Sequence, residues 1–133
     1  MYKVSLAIPI YNVSLFVERA LLSVLNQTYD NIEYLIVDDK GQDDSMDIVH
    51  RIIKDHPRGK DVRIIEHPYN IGLGATRNTA IDNAQGEYLF FMDSDDEIIP
   101  TCIEILVHKM QEHPVDFIAA SHMKKDLSGK TYP

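Results

Sequence analysis

A dense group of acidic side chains lies at the end of an apolar run in the sequence. Residues 88–92 read YLFFM, which is typical of a buried strand, and residues 93–97 read DSDDE. Carboxylates this close repel one another unless solvent or a cation screens their charge. The pattern therefore indicates either a solvated acidic turn or a cation site, and the residue types alone leave both open.

Two further polar clusters follow apolar runs in the same way. PIYN comes after the first run and DDKGQDDS after the second, so three strand ends carry polar groups. Carboxylates, an amide and a tyrosine can together bind a ligand that has both polar groups and a flat ring. Whether they form one site depends on the elements that bring the three strand ends together.

The elements around these clusters alternate between strand and helix. Strands are predicted over residues 4–8, 32–37, 62–65 and 88–92 and from Val115, because each is a short apolar run. Helical spacing of apolar residues follows each of the first four strands. This order predicts the α/β class, with a Rossmann-like doubly wound, mostly parallel sheet in a three-layer α/β/α arrangement.

Local signals predict the ends and faces of some elements. Asn12 is expected to cap the first helix, and the fourth strand is expected to be buried on both faces. The third helix should begin near Gly74 and stop at Gly86. Its apolar side should consist of four residues, Ala75, Ala80, Ile81 and Ala84.

The expected strand order places two of the polar clusters side by side. In a doubly wound sheet, ligands bind outside the carboxyl ends of the strands, where the strand order reverses. In the common order 3-2-1-4, the first and fourth strands are neighbours across this point. Tyr11 and residues 93–95 should therefore share one crevice, which is suited to a nucleotide.

Length and composition limit the possible classes of protein. The 133 residues, 44% of them apolar, are enough for one globular domain with a core. Because Asp and Glu outnumber Lys and Arg by 21 to 13, the net charge is −8 and no nucleic-acid partner is expected. The single cysteine, Cys102, cannot form an internal disulfide. No signal peptide or membrane-spanning run is visible, so a cytoplasmic location is expected.

Other nucleotide and metal motifs fit poorly. The first strand is followed by PIYN instead of G-x-G-x-x-G, and there is no Walker lysine motif, so neither a dinucleotide site nor P-loop hydrolysis is supported. An EF-hand counted from Asp93 has Ile98 where its loop requires glycine. A phosphoacceptor domain would carry its acidic pair after the first strand, whereas VDD follows the second.

Four motifs together resemble the family 2 glycosyltransferases of the GT-A fold. They are SLAIPIYN, LIVDD, NIGLGATRN and YLFFMDSDDE, in the order and spacing of that family from about Lys3 to the predicted fifth strand. The resemblance implies transfer of a sugar from a nucleoside diphosphate donor to an acceptor hydroxyl, with inversion at the anomeric carbon. It also implies Mg²⁺ or Mn²⁺ as cofactor, held at the D-x-D motif, and a role in cell-surface polysaccharide biosynthesis.

The resemblance also assigns roles to seven residues. Asp95 is the expected metal ligand, and the expected nucleotide-sugar-binding residues are Pro9, Tyr11, Asp39, Arg77, Asp93 and Ser94. Tyr11 offers a ring to the base, and the Asp39 carboxylate can accept N3–H of a uracil, which favours UDP. Because side chains alternate along an extended chain, Asp96 is expected to point away from Asp95.

Each of these roles has a simpler alternative. Tyr11 could pack over its own loop, and Arg77 could be an ordinary exposed helix residue. Of the adjacent pair, Asp38 is expected to be structural and Asp39 functional, but Asp39 could instead cap the next helix. Asp96 and Glu97 could form a solvated turn. On the residues alone, a module that binds nucleotide sugars without catalysis is the main alternative to an enzyme.

The resemblance places the catalytic base beyond Pro133. Residues 1–133 are therefore expected to form the nucleotide-sugar-binding domain at the N-terminus of a longer enzyme. The remaining part would bind a saccharide or lipid-linked acceptor and could bring the protein to the inner face of the membrane. The sequence predicts no oligomeric state.

Overall fold

The central feature of the fold is a parallel sheet of four strands. The computed structural model describes residues 2–112, 124–125 and 131–132. The strands are β1 (Val4–Ile10), β2 (Ile32–Asp38), β3 (Val62–Glu66) and β4 (Tyr88–Phe91), in the order β3-β2-β1-β4. All three neighbouring pairs are parallel, which confirms the predicted strand order and the doubly wound arrangement.

Helices connect and cover these strands. They are α1 (Val17–Leu25), α2 (Ser45–Asp55), α3 (Leu73–Asn83) and α4 (Cys102–Glu112), with a 3₁₀ helix over Pro57–Asp61. Two short antiparallel strands, β5 (Lys124–Lys125) and β6 (Thr131–Tyr132), form a separate pair. The strand predicted from Val115 lies outside the described residues. Within those residues, no helix has the length and apolar character needed to cross a membrane.

Alternation along the strands produces two apolar faces and therefore three layers. Leu6 and Ile8 of β1 belong to the large core, which is completed by buried residues of α1, α2 and α4. Ala7 of β1 points the other way and packs with Val37 of β2 and Ala80 of α3 in a smaller core. The fold class predicted from the sequence, α/β with helices on both faces, is confirmed.

Two details of α3 and its surroundings differ from expectation. The buried residues of α3 are Thr76 and Ala80, while Ile81 is 56% exposed, because α3 contacts the sheet through a narrow strip of small side chains. Gly86 does not end the helix, which stops at Asn83. A Cβ atom at Gly86 would lie 2.6 Å from the Lys3 carbonyl oxygen, so glycine is needed there for close approach to β1.

The fourth strand is less buried than predicted. Its residues are half-buried, and Phe91 is 38% exposed. Among the described residues, β4 pairs only with β1 and is thus an edge of the sheet. The large apolar side chains of YLFFM nevertheless contribute to the core through Tyr88 and Phe90, which pack against the cluster on the α1 side.

Asn12 has a different role from the helix cap that was predicted. Helix α1 begins five residues later, at Val17, and Phe16 is at its N-cap position. Asn12 has a positive φ of 53°, a conformation that asparagine tolerates better than most residues, and its Oδ1 accepts a hydrogen bond from the backbone N–H of Gln42 at 2.8 Å. Asn12 therefore joins the loops that follow β1 and β2.

Candidate functional site

A cleft lies at the carboxyl ends of β1, β2 and β4, on the side of the sheet that α3 covers. It is lined by strand residues and by one side of α3. Three of the predicted site residues, Pro9, Arg77 and Asp93, line it together. These residues are separated by up to 84 positions in the sequence, so the strand order brings them together.

Strand register explains why Pro9 and Asp93 face the same cleft. Ala7 of β1 is paired with Phe91 of β4, and the Met92 N–H donates to the Ala7 carbonyl at 3.0 Å. Pro9 and Asp93 each come two residues after this pair. Because side chains alternate along extended chain, both fall on the face of Ala7, which is the face that α3 covers. Arg77 reaches the cleft from α3.

The acidic cluster at the cleft consists of Asp93, Asp95 and Asp96. One carboxylate oxygen from each lies within 4.8 Å of the others, and all three residues are exposed. The chain turns here, because the Asp96 N–H donates to the Asp93 carbonyl at 3.0 Å. The expectation that Asp96 points away from Asp95 is therefore wrong: it assumed an extended chain, whereas the chain turns between Asp93 and Asp96.

The carboxylates of this cluster fit a divalent metal ion. Carboxylate oxygens are the ligands that Mg²⁺ and Mn²⁺ prefer, and three such oxygens close together can share one ion while leaving positions for phosphate oxygens and water. Ser94, between two of these aspartates, is 7% exposed.

Tyr11 stands just beyond the end of β1. Its side chain is 47% exposed, so a large part of the ring is accessible to a ligand. Tyr11 and Asp39 are not among the residues that line the cleft. Asp39 nevertheless lies beside β1, because its N–H donates to the Ile10 carbonyl at 3.0 Å.

The Asp39 carboxylate is almost completely buried and accepts four hydrogen bonds. Oδ1 accepts from the Ile71 N–H at 3.0 Å and lies 2.8 Å from His67 Nδ1, while Oδ2 accepts from Asn70 Nδ2 at 2.9 Å and the Gly72 N–H at 3.0 Å. Asp39 is only 2% exposed. The four hydrogen bonds occupy the lone-pair positions of both carboxylate oxygens. In this arrangement, Asp39 holds the loop before α3, and the uracil-binding role stays a prediction.

These hydrogen bonds also determine the acidity of Asp39. Burial alone would raise the pKa of this carboxyl group, but hydrogen bonds from His67 and from the N–H groups of Ile71 and Gly72 outweigh burial and lower the pKa below its usual range. The group is therefore ionised at neutral pH.

Its neighbour Asp38 accepts a hydrogen bond from the Lys40 N–H at 2.9 Å and lies 3.8 Å from Lys40 Nζ.

Gln27 is a buried polar residue outside the cleft lining, and its structural role could not be predicted from the sequence. It is 2% exposed, and its Nε2 donates to the carbonyl oxygens of Ser23 and Ile99 at 3.0 and 2.7 Å. Its Oε1 accepts from the Ile103 N–H at 2.9 Å. Gln27 thus connects the end of α1 to the start of α4 and to Ile99, which precedes α4. A lone glutamine after a helix carries no sequence signal for this role.

We expect Gln27→Met to destabilise the chain by about 2 kcal/mol, because the Ile103 N–H and the Ile99 carbonyl lose their side-chain partner while the volume is kept. Urea denaturation measures the change. The matched control is Gln111→Met, at an exposed position in α4, which should change stability by less than about 0.5 kcal/mol. Equal effects of the two variants would contradict the role of Gln27.

Comparison with known proteins identifies a family model and curated relatives that match this chain. The family model described as "Glycosyl transferase family 2" matches residues 5–133. A curated relative from Escherichia coli, UDP-Glc:alpha-D-GlcNAc-diphosphoundecaprenol beta-1,3-glucosyltransferase WfaP, is 37% identical over 130 residues, covering 96% of this chain and 49% of that protein. The chain thus spans about half the length of this relative.

Solved structures share the fold. The S. aureus TarS 1-349 structure in complex with UDP-GlcNAc has a TM-score of 0.75 and 28% identity, over 84% of this chain and 32% of that chain. The mannosyltransferase PcManGT from Pyrobaculum calidifontis, in complex with GDP-Man and Mn²⁺, has a TM-score of 0.67 and 26% identity, over 72% of this chain and 28% of that chain. The parallel sheet with flanking helices is therefore the Rossmann-like sheet of the GT-A type.

Proposed function

Because this chain belongs to glycosyl transferase family 2, we propose that residues 1–133 form the donor-binding domain of a metal-dependent enzyme that transfers a sugar from UDP to an acceptor hydroxyl with inversion. The observation that carries the proposal is the cleft that unites Pro9, Arg77 and Asp93 beside the acidic cluster. This is where a doubly wound sheet binds nucleotides. The complexes of TarS with UDP-GlcNAc and of PcManGT with GDP-Man support a nucleotide-sugar ligand.

Each part of a nucleotide sugar has a counterpart in this region. The half-exposed Tyr11 ring offers an apolar face to the base. We assign the ribose to Asp93, which lines the cleft, and to the hydroxyl of the adjacent Ser94, while Pro9 forms part of the cleft wall. Arg77 supplies a guanidinium, the side chain best suited to phosphate oxygens. In this proposal, Arg77 binds the diphosphate and helps to stabilise it as it leaves.

Asp95 is the proposed metal ligand, with Asp93 and Asp96 close enough to take part. A bound Mg²⁺ or Mn²⁺ would supply Lewis-acid assistance by neutralising charge on the departing diphosphate. A chain with a net charge of −8 needs such a cation to accept a diphosphate next to three carboxylates. The presence of Mn²⁺ in the PcManGT complex supports this cofactor.

In the proposed reaction, the acceptor oxygen attacks the anomeric carbon from the side opposite the diphosphate. The new C–O bond forms as the bond from the anomeric carbon to the diphosphate oxygen breaks, which inverts the configuration. The acceptor proton goes to a carboxylate base, which we place outside residues 1–133. The name of the E. coli relative contains a diphosphoundecaprenol acceptor, so a lipid-linked saccharide acceptor near the membrane, in cell-surface glycan synthesis, is proposed here.

Binding of UDP to the 133-residue chain tests this function. We expect UDP to bind more tightly with Mn²⁺ than with chelator, by about 10-fold, since an ion held by the acidic cluster would neutralise charge on the diphosphate. Isothermal titration calorimetry gives both affinities, and uridine, which lacks the diphosphate, is the matched control ligand because its binding should not depend on the metal.

Two outcomes would change the proposal. Equal affinity for UDP and uridine under both conditions would rule out the diphosphate and metal roles. Tighter binding of GDP than of UDP would contradict the uridine assignment alone. A non-catalytic nucleotide-sugar module is the second candidate, and it predicts binding by the full-length protein without sugar transfer to any acceptor.

A further inference from the structure

His67 is a buried histidine that connects two parts of the molecule. It follows β3 directly and is 5% exposed. Its Nδ1 lies 2.8 Å from Asp39 Oδ1, at the end of β2, and its Nε2 lies 2.8 Å from Thr79 Oγ1, in the middle of α3. One imidazole ring therefore links the sheet edge that carries the site to the helix that carries Arg77.

The chemistry of the three groups determines the direction of these hydrogen bonds. An ionised carboxylate only accepts, so the proton on the His67 ring is at Nδ1 and points at Asp39. Nε2 of the neutral ring then accepts from the Thr79 hydroxyl, and in the charged ring it donates to the same oxygen. Because a hydroxyl can both donate and accept, the Asp39–His67–Thr79 connection persists in either protonation state.

The position of helix α3 depends strongly on the Asp39–His67–Thr79 connection. Its buried side chains are only Thr76 and Ala80, so apolar contact restrains its rotation weakly. Polar contacts restrain it at two points: Asp39 accepts from the N–H groups of Ile71 and Gly72 just before the first turn, and His67 reaches Thr79 two turns later. Arg77 lies between these two points.

We propose that His67 is a positioning residue for donor binding, which holds α3 so that the Arg77 guanidinium stays in the cleft with Pro9 and Asp93. The inference rests on the proposed function, in which Arg77 binds the diphosphate. His67 itself acts through Thr79 and α3. Its effect on UDP binding should therefore require Arg77, whereas a purely structural effect should not.

A double-mutant cycle on the 133-residue chain tests this dependence. Thr79→Val removes only the hydroxyl, and His67→Asn keeps an N–H group near the Nδ1 position but cannot reach Thr79. Each is expected to weaken UDP binding about 3- to 10-fold, the effect of one lost hydrogen bond, and less than about 2-fold when Arg77→Gln is already present. His50→Gln, at an exposed position of α2, is the control and should leave affinity unchanged.

A measurement without ligand separates this inference from the proposed function. In ¹⁵N NMR spectra, Thr79→Val should shift the Arg77 Nε–Hε signal and the amide signals of α3, while His50→Gln should leave them in place. Equal losses of UDP affinity with and without Arg77, or an unchanged Arg77 signal in Thr79→Val, would overturn the positioning role. A chain that binds no UDP would overturn the proposed function, and the Arg77 signal would then decide the positioning role by itself.

Discussion

Asp39→Asn is expected to lower the free energy of unfolding at pH 7 by about 3 kcal/mol, the cost of disrupting a buried, fully paired charge. Asparagine has the same shape, but one oxygen is replaced by an NH₂ group. Four donors converge on Asp39, from His67, Asn70, Ile71 and Gly72. At least one backbone N–H would then face another donor in a site that is 2% exposed.

The effect should depend on pH in a defined direction. Because the pKa of Asp39 is lowered in the folded chain, ionisation contributes stability that is fully present above the unfolded pKa, about 3.9. That contribution is lost as the pH falls through the folded-state pKa. The difference in stability between the native chain and Asp39→Asn should therefore be largest near neutral pH and decrease in acid below about pH 4.

Asp38→Asn provides a matched control at the neighbouring position. Asp38 is also buried, but its carboxylate accepts from the Lys40 N–H and faces the Lys40 side chain, which is 40% exposed. Urea denaturation of both variants at pH 7 should give a smaller loss of stability for Asp38→Asn. If the two losses are equal, Asp39 has no special role in holding the loop before α3.

The fold was predictable because it depends on patterns that are local in the sequence. Short apolar runs within Val4–Ile10 and Ile32–Asp38, each followed by helical spacing, are enough to indicate parallel strands with crossover helices. The order β3-β2-β1-β4 then follows from the common topology. Convergence of Pro9, Arg77 and Asp93 on one cleft follows in turn from that order.

The details of the candidate site were less predictable because they depend on contacts between distant segments. Adjacent aspartates in VDD cannot be told apart by residue type, yet only Asp39 meets the N–H groups of a loop more than thirty residues away. His67 and Gln27 are isolated polar residues whose roles require knowledge of their partners. The direction of Asp96 depends on a turn whose hydrogen bond, from Asp96 N–H to Asp93, has no distinctive sequence signal.

The second large expected effect concerns the acidic cluster. Asp95→Asn should weaken UDP binding in the presence of Mn²⁺ by up to about 10-fold, which is the whole of the metal-dependent gain expected for the native chain. Asparagine keeps one acceptor oxygen and removes the negative charge that a hard cation favours. With chelator present, the native chain and the variant should bind UDP equally, because the lost term is the metal-dependent one.

Asp96→Asn tests whether Asp96 contributes to metal-dependent UDP binding together with Asp93 and Asp95. An extended chain would direct Asp96 away from Asp95, and the substitution would then leave metal-dependent binding unchanged. Since an oxygen of Asp96 lies within 4.8 Å of oxygens of Asp93 and Asp95, we expect a measurable loss, smaller than that of Asp95→Asn. Charge near a bound cation stabilises it even without direct ligation.

Asp82→Asn is the matched control, because Asp82 is an exposed aspartate near the end of α3 and is not among the residues that line the cleft. It removes the same charge from the chain and should leave the manganese dependence intact. Titration of each variant with UDP, with and without Mn²⁺, separates the possibilities. Loss in Asp96→Asn alone would make Asp96, not Asp95, the metal ligand. If no cluster variant differs from Asp82→Asn in the Mn²⁺ dependence of UDP binding, the cluster is a solvated acidic turn. Arg77 would then be the positive group that binds the diphosphate.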